Sequence, residues 1–183
     1  MNREQTSLQT LLSLDEPRLT LYSQTRLAIA GSNGSGKTTL LNTLFYMLQQ
    51  DGRIQVAYAR QQLPFYTGSA QDFVCTQAAQ DIPDAEKLTQ ARTLLACLGL
   101  DGVKVTISSM QLSPGERQRV VIAGLLIQKP HILLLDEPTN HLALPAREAL
   151  EKTLSDYLGA LVLVSHDKTF REALVHDTFC LSE

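Results

Sequence analysis

Apolar positions along this chain switch between two periods, and the switching outlines an α/β protein. Residues 18–30, RLTLYSQTRLAIA, carry strand-type runs on either side of a polar Ser23-Gln24 pair, which predicts two short strands joined by a turn. After a glycine-rich stretch, Leu40, Leu41, Leu44 and Leu48 recur at helical spacing until Asp51-Gly52 breaks the pattern. RIQVAYA (53–59) then reads as a strand. From Gln61 to about Met110 strand-like runs vanish, Pro64 and Pro83 interrupt, and DAEKLTQARTLLACLGL forms an amphipathic helix ended by Gly99.

The strand and helix alternation resumes at Pro114. A helix runs from there to about Gln128, where Lys129-Pro130 stops it. HILLLDE is nearly all apolar, the signature of a parallel strand buried on both faces. PAREALEKTLSDYLG puts Leu150, Leu154 and Leu158 on one helical face, with Pro145 near its first turn and Gly159 beyond its end. ALVLVSHD is a second buried strand. The predicted fold is α/β: a mainly parallel sheet flanked by helices, with a small antiparallel β part at the N-terminus. A helical subdomain, about 63–110, is inserted into a core of about 18–62 and 111–183, all within one domain spanning 1–183. Ligands of such sheets lie beyond the carboxyl ends of the strands.

Composition narrows the classes. The 183 residues are 44% hydrophobic and 19% charged, ordinary for a globular protein, and the net charge of −3 offers no basic footprint for nucleic acid. Cys75, Cys97 and Cys180 are widely spaced and lack CxxC or histidine companions, so they read as reduced thiols of a core rather than a metal site. No apolar run approaches the ~18 residues that span a bilayer, and MNREQTSLQT lacks a signal-peptide core. The expectation is a cytoplasmic protein with no direct membrane insertion.

The chemistry starts in the glycine-rich stretch. Gly31, Ser32, Asn33, Gly34, Ser35, Gly36, Lys37 and Thr38 match G-x-x-x-x-G-K-[ST] between a predicted strand and a helix, the context the motif requires. Glycines let successive N–H groups point inward at the helix start, an anion nest for phosphates. Lys37 adds a point charge, the Thr38 hydroxyl is a candidate Mg²⁺ ligand, and Thr39 follows in the same first turn. Asp136 closes the apolar run 132–135, where a buried acid is costly unless paired or metal-bound, and Glu137 is placed to take a proton from water. Gln61 or Gln62 follows the strand RIQVAYA, where an amide could reach metal and water, and His166 ends LVLVSHD, where an imidazole could contact a γ-phosphate; each alone reads more readily as an ordinary polar loop residue. In LSPGERQR, Ser113 is a good N-cap, Pro114 a good first residue, and Glu116 completes a capping box.

Together these stretches resemble the nucleotide-binding domain of the ATP-binding cassette (ABC) superfamily. GSNGSGKT resembles Walker A, ILLLDE Walker B with its catalytic glutamate, LSPGE the signature motif, YARQ the Q-loop segment and VSHD the switch histidine. LSPGERQR, DEPTNHL and VSHDKTF look most like the ABC-F branch of soluble tandem ATPases that act on ribosomes. The resemblance implies a P-loop NTPase with a RecA-like core that hydrolyses ATP with Mg²⁺. Glu137, His166 and Gln61 would serve catalysis, and Thr38, Asp136 and Gln61 the metal. It also implies a head-to-tail partnership with a second cassette, whose nucleotide Ser113, Gly115 and Glu116 would complete, and action on a larger machine such as the ribosome. The resemblance leaves two other classes open: the ATPase subunit of a membrane transporter, and a regulatory module that binds ATP without hydrolysing it. Three features depart from the family pattern. Pro114 stands where glycine is usual, Ala143 where the D-loop aspartate is usual, and no aromatic stands 20–25 residues before Gly31 to stack on adenine.

Overall fold

A computed structural model describes residues 10–14, 19–62, 64 and 66–181 of the chain. Seven strands and six helices run in the order β1 (Thr10–Leu14), β2 (Leu19–Tyr22), β3 (Arg26–Ala30), α1 (Lys37–Gln50), β4 (Val56–Ala59), α2 (Ala70–Gln77), α3 (Asp84–Cys97), α4 (Pro114–Leu126), β5 (Ile132–Asp136), α5 (Leu144–Ser155), β6 (Ala160–Val164), α6 (Lys168–Leu174) and β7 (Asp177–Cys180). β1 and β2 form a small antiparallel pair; the other five strands form one sheet in the order β4-β5-β6-β3-β7. Every neighbouring pair in that sheet is parallel. The predicted α/β architecture stands.

The pleat explains why β5 and β6 are apolar throughout. Leu133, Leu135, Leu161 and Leu163 join a buried cluster with α2, α3, α4, α5 and α6 on one face. Ile132, Leu134, Val162 and Val164 point the other way, into a second cluster built on Leu40, Leu41, Leu44 and Leu48 of α1 with Leu19 and Leu21 of β2. Alternate side chains thus serve opposite layers, and neither face tolerates a polar residue until the strand ends. That end is where Asp136 stands.

Two expectations need correction. Leu158 does not share the buried face of Leu150 and Leu154. α5 stops at Ser155, where Arg26 donates to the Leu154 and Tyr157 carbonyls past the helix end, and Leu158 is left 88% exposed. The cysteines are not core thiols either: Cys97 and Cys180 are exposed and Cys75 is half-buried. The hydrophobic pattern also does not single out α2, α6 or β7, which are short or, for β7, mostly exposed on the sheet edge. Arg18 lies outside the described residues, as do residues 6–9 of the stretch 20–25 positions before Gly31.

Candidate functional site

β3 delivers the chain into the glycine-rich loop, and α1 leaves it. Gly34 and Gly36 have φ of +84° and +92°, a region that costs side-chain-bearing residues steric strain. A Cβ at Gly31 would meet the Ser35 hydroxyl, which can turn away, and lie 3.3 Å from the Leu181 carbonyl, which cannot. Lys37 folds its ammonium back over the loop and donates to the Gly31 carbonyl at 3.0 Å and the Ser32 carbonyl at 2.7 Å. Gly36 is the N-cap of α1 and offers no side-chain acceptor, so the loop closes on a helix start that no side chain caps. Thr39 sits exposed in that first turn.

One residue past the lysine, the Thr38 hydroxyl donates to Asp136 Oδ2 at 2.7 Å, although 98 positions separate them. Asp136 is only 2% exposed at the carboxyl end of β5. A hydroxyl and a buried carboxylate side by side are hard oxygen donors suited to a divalent cation such as Mg²⁺. Behind them, burial and then the charge of Asp136 push the Tyr58 phenol up to about 12, so it stays neutral.

Glu137 follows in a left-handed conformation, φ +52°, which for a side-chain-bearing residue costs about 1–3 kcal/mol. It is 7% exposed and held from several sides. Its N–H donates to the Val164 carbonyl at 2.8 Å, and its own carbonyl accepts Gln118 Nε2 at 3.2 Å. Its Oε2 accepts the backbone N–H of His166 at 3.1 Å. The His166 Nε2 lies 3.4 Å from Oε1, outside hydrogen-bonding geometry, and among the described residues that buried oxygen has no hydrogen-bond partner. The segment after β6 is wired into the same corner. Ser165 Oγ lies 3.1 Å from Thr139 Oγ1, and Asp167 accepts from Arg147 of α5 at 2.6 Å.

At the start of α4 the capping box is complete. Ser113 Oγ accepts the Glu116 N–H at 3.2 Å, and Glu116 Oε2 accepts the Ser113 N–H at 2.8 Å. Lys104 lies 2.8 Å from Glu116 Oε1; that ion pair, then the Ser113 N–H, pull the carboxyl down to about 2. Proline at the first position has no N–H, so the box leaves unused the N–H of Gly115. Gly115 itself is packed tight: a Cβ would meet the His141 carbonyl at 2.6 Å. Of the two arginines that follow, Arg119 is buried and donates to the Leu98, Gly99 and Gly115 carbonyls at 2.6, 3.1 and 3.3 Å, fastening α3 to α4. Arg117 instead borders a cleft of about 600 Å³, shared with Gln61, Gln62, Pro114, Gln118 and Glu137.

The site candidates therefore fall into three neighbouring groups. Thr38 and Asp136 meet directly beside Lys37; Glu137 and His166 meet beyond them; Gln61 and Gln62 line one cleft together with Glu137. Ser113 and Glu116 are engaged with each other, and Gly115 with the loop at His141. Pattern reading gave no role to Gln118, Thr139, Ser165 or the Arg147–Asp167 pair, although Gln118 stands in LSPGERQR, Thr139 in DEPTNHL, and Ser165 and Asp167 in VSHDKTF.

A family model described as ABC transporter matches residues 14–140. The chain belongs to the ABC family. The ribosome protection protein VmlR of Bacillus subtilis is 34% identical over 166 residues, covering 89% of this chain and 30% of VmlR. The probable ATP-binding protein YheS of Escherichia coli K12 is 34% identical over 178 residues, 93% of this chain and 28% of YheS. ARB1 of Saccharomyces cerevisiae, an ABC transporter ATP-binding protein, is 34% identical over 162 residues, 84% and 26%. This ABC cassette thus spans less than a third of these relatives' length. Its fold matches the dimeric ATP-binding cassette MJ0796 bound to ADP and Pi, with a TM-score of 0.71 at 21% identity over 96% of this chain and 91% of that one. Among the described residues no helix of this ABC chain is long and apolar enough to cross a membrane.

Proposed function

We propose that this cassette binds Mg-ATP and hydrolyses it to ADP and phosphate. The observation that carries the reading is the buried Oε1 of Glu137, which among the described residues accepts no hydrogen bond and has only His166 Nε2 at 3.4 Å, together with a Thr38–Asp136 oxygen pair and the Lys37 loop. The loop N–H groups and Lys37 would take the β- and γ-phosphates, with Ser32, Asn33, Ser35 and Thr39 around them. Thr38 and Asp136, with Gln61, would hold Mg²⁺, which neutralises phosphate charge. Glu137 would accept a proton from water as its oxygen bonds to the γ-phosphorus and the bond from that phosphorus to the bridging oxygen breaks. His166 would contact the γ-phosphate from the end of β6.

The tip of α4 would face the nucleotide of a second cassette. The capping box uses the backbone N–H groups of Ser113 and Glu116 inside the chain, which leaves the Gly115 N–H and the Ser113 O–H to donate to a γ-phosphate. Segment 63–110 would act as a helical subdomain turning with that tip. We read the cassette as one of the ABC-F type, cytoplasmic, driven by nucleotide-dependent pairing and acting on a larger machine. The relative named as a ribosome protection protein favours the ribosome as that machine. Light scattering tests the site and the pairing together. Glu137→Gln with Mg-ATP should form dimers that Mg-ADP does not support, and adding Ser113→Arg should abolish them while monomer ATP binding persists. Glu137→Gln that stays monomeric at every Mg-ATP concentration would count against nucleotide-driven pairing.

A further inference from the structure

Glu137 carries a backbone geometry that its neighbours must hold. Its φ is +52° and Pro138 follows it, two steric restrictions on one residue. One side of that peptide unit is tied to β6 through the Val164 carbonyl; the other is tied to α4, because Gln118 Nε2 donates to the Glu137 carbonyl. Gln118 is itself 7% exposed, so its amide depends on this acceptor as much as Glu137 depends on the amide. It also sits five positions beyond Ser113 on the same helix, about 7.5 Å along a rigid rod.

We propose that Gln118 is a positioning residue through which α4 sets the aim of the Glu137 carboxylate. Whatever engages the tip of α4 thereby acts on the proton acceptor of the same subunit's own site. The inference rests on reading Glu137 as that acceptor. A buried amide kept only for packing would affect stability; a positioning amide affects the chemical step and nothing before it.

The two roles separate in a double-mutant cycle on the 183-residue chain, at a concentration where the parent's specific ATPase rate has stopped rising. Gln118→Met keeps the volume and removes the donor. It should lower kcat roughly 10–100-fold, the usual cost of misdirecting a reacting group, with KM for ATP unchanged. Gln118→His, whose Nε2 reaches to about the position of the lost amide nitrogen, should recover much of the rate. In the Glu137→Gln background, Gln118→Met should cost nothing further in single-turnover hydrolysis. A Gln118→Met chain with the parent's kcat, or one losing the same factor in both backgrounds together with its denaturation midpoint, overturns the proposal. A parent that binds Mg-ATP and never turns it over overturns the reading of Glu137 itself, and this proposal with it.

Discussion

The starts of α1 and α4 are both helix N-termini at the same end of the molecule, and they are finished in opposite ways. α1 opens on Gly36, left-handed and without a side-chain acceptor; α4 opens on Ser113 with every part of a capping box in use. Positive charge at α1 comes from Lys37 folded over the loop, whereas at α4 Lys104 is already neutralised by Glu116. A helix start that no side chain caps suits a ligand bound by one chain alone. A helix start that is capped except for one N–H suits a ligand held mostly by something else.

Breaking the comparison at its glycines should give the largest effect. Gly115 lacks space and Gly36 has the unusual φ, so the two should fail differently. Gly115→Val drives its Cβ against the His141 carbonyl and should cost about 2–3 kcal/mol in denaturant unfolding, an overpacking loss. Gly36→Ala meets no atom within 4 Å and should cost about 1–2 kcal/mol through backbone strain alone. Next comes charge. Lys37→Ala should weaken Mg-ATP binding at least tenfold by calorimetry, about 1.4 kcal/mol or more, and chelating Mg²⁺ should weaken the parent too. Ser113→Ala should leave monomer binding unchanged.

Caps come third. Ser113→Ala should lower stability by about 1 kcal/mol. α5 supplies the converse, because its N-cap Ala143 makes no side-chain bond. Ala143→Asp should raise stability by about 0.5–1 kcal/mol, read as a higher urea midpoint. The smallest effect is in acid. Glu116 is held at about 2 against an ordinary 4.5, so what it adds to stability is complete above pH 4.5 and fades as pH falls towards 2. The stability difference between parent and Glu116→Gln should therefore be flat from pH 7 to about 5 and shrink below it.

The sequence made legible whatever is periodic or contiguous. Leu133 and Leu134 could be assigned to a doubly buried strand because a run of apolar residues has few other homes, and Ser113 to Glu116 because a capping box closes within four positions. The pairing of Thr38 with Asp136 was legible through a motif whose two halves are each recognisable. Gln118 stands in LSPGERQR, but its role was not legible, because its partner is a backbone carbonyl that any residue would supply. Leu158 misled for a related reason. Its spacing continues the face of Leu150 and Leu154, but α5 ends at Ser155, before that face reaches Leu158.

Arg119 has a mechanical consequence. Its guanidinium holds the Leu98 and Gly99 carbonyls, just past the end of α3, with one nitrogen while another reaches back to Gly115 on its own helix. A planar fork with several fixed donors resists twisting in a way that a single ammonium does not. α3 and the first turn of α4 are therefore clamped as one lever. Its long arm is the exposed flank of α3, and its short arm ends at the one N–H that the capping box leaves free. A displacement of α3 would reach the first turn of α4 through this guanidinium. Arg119→Lys would keep the charge and let the lever slip.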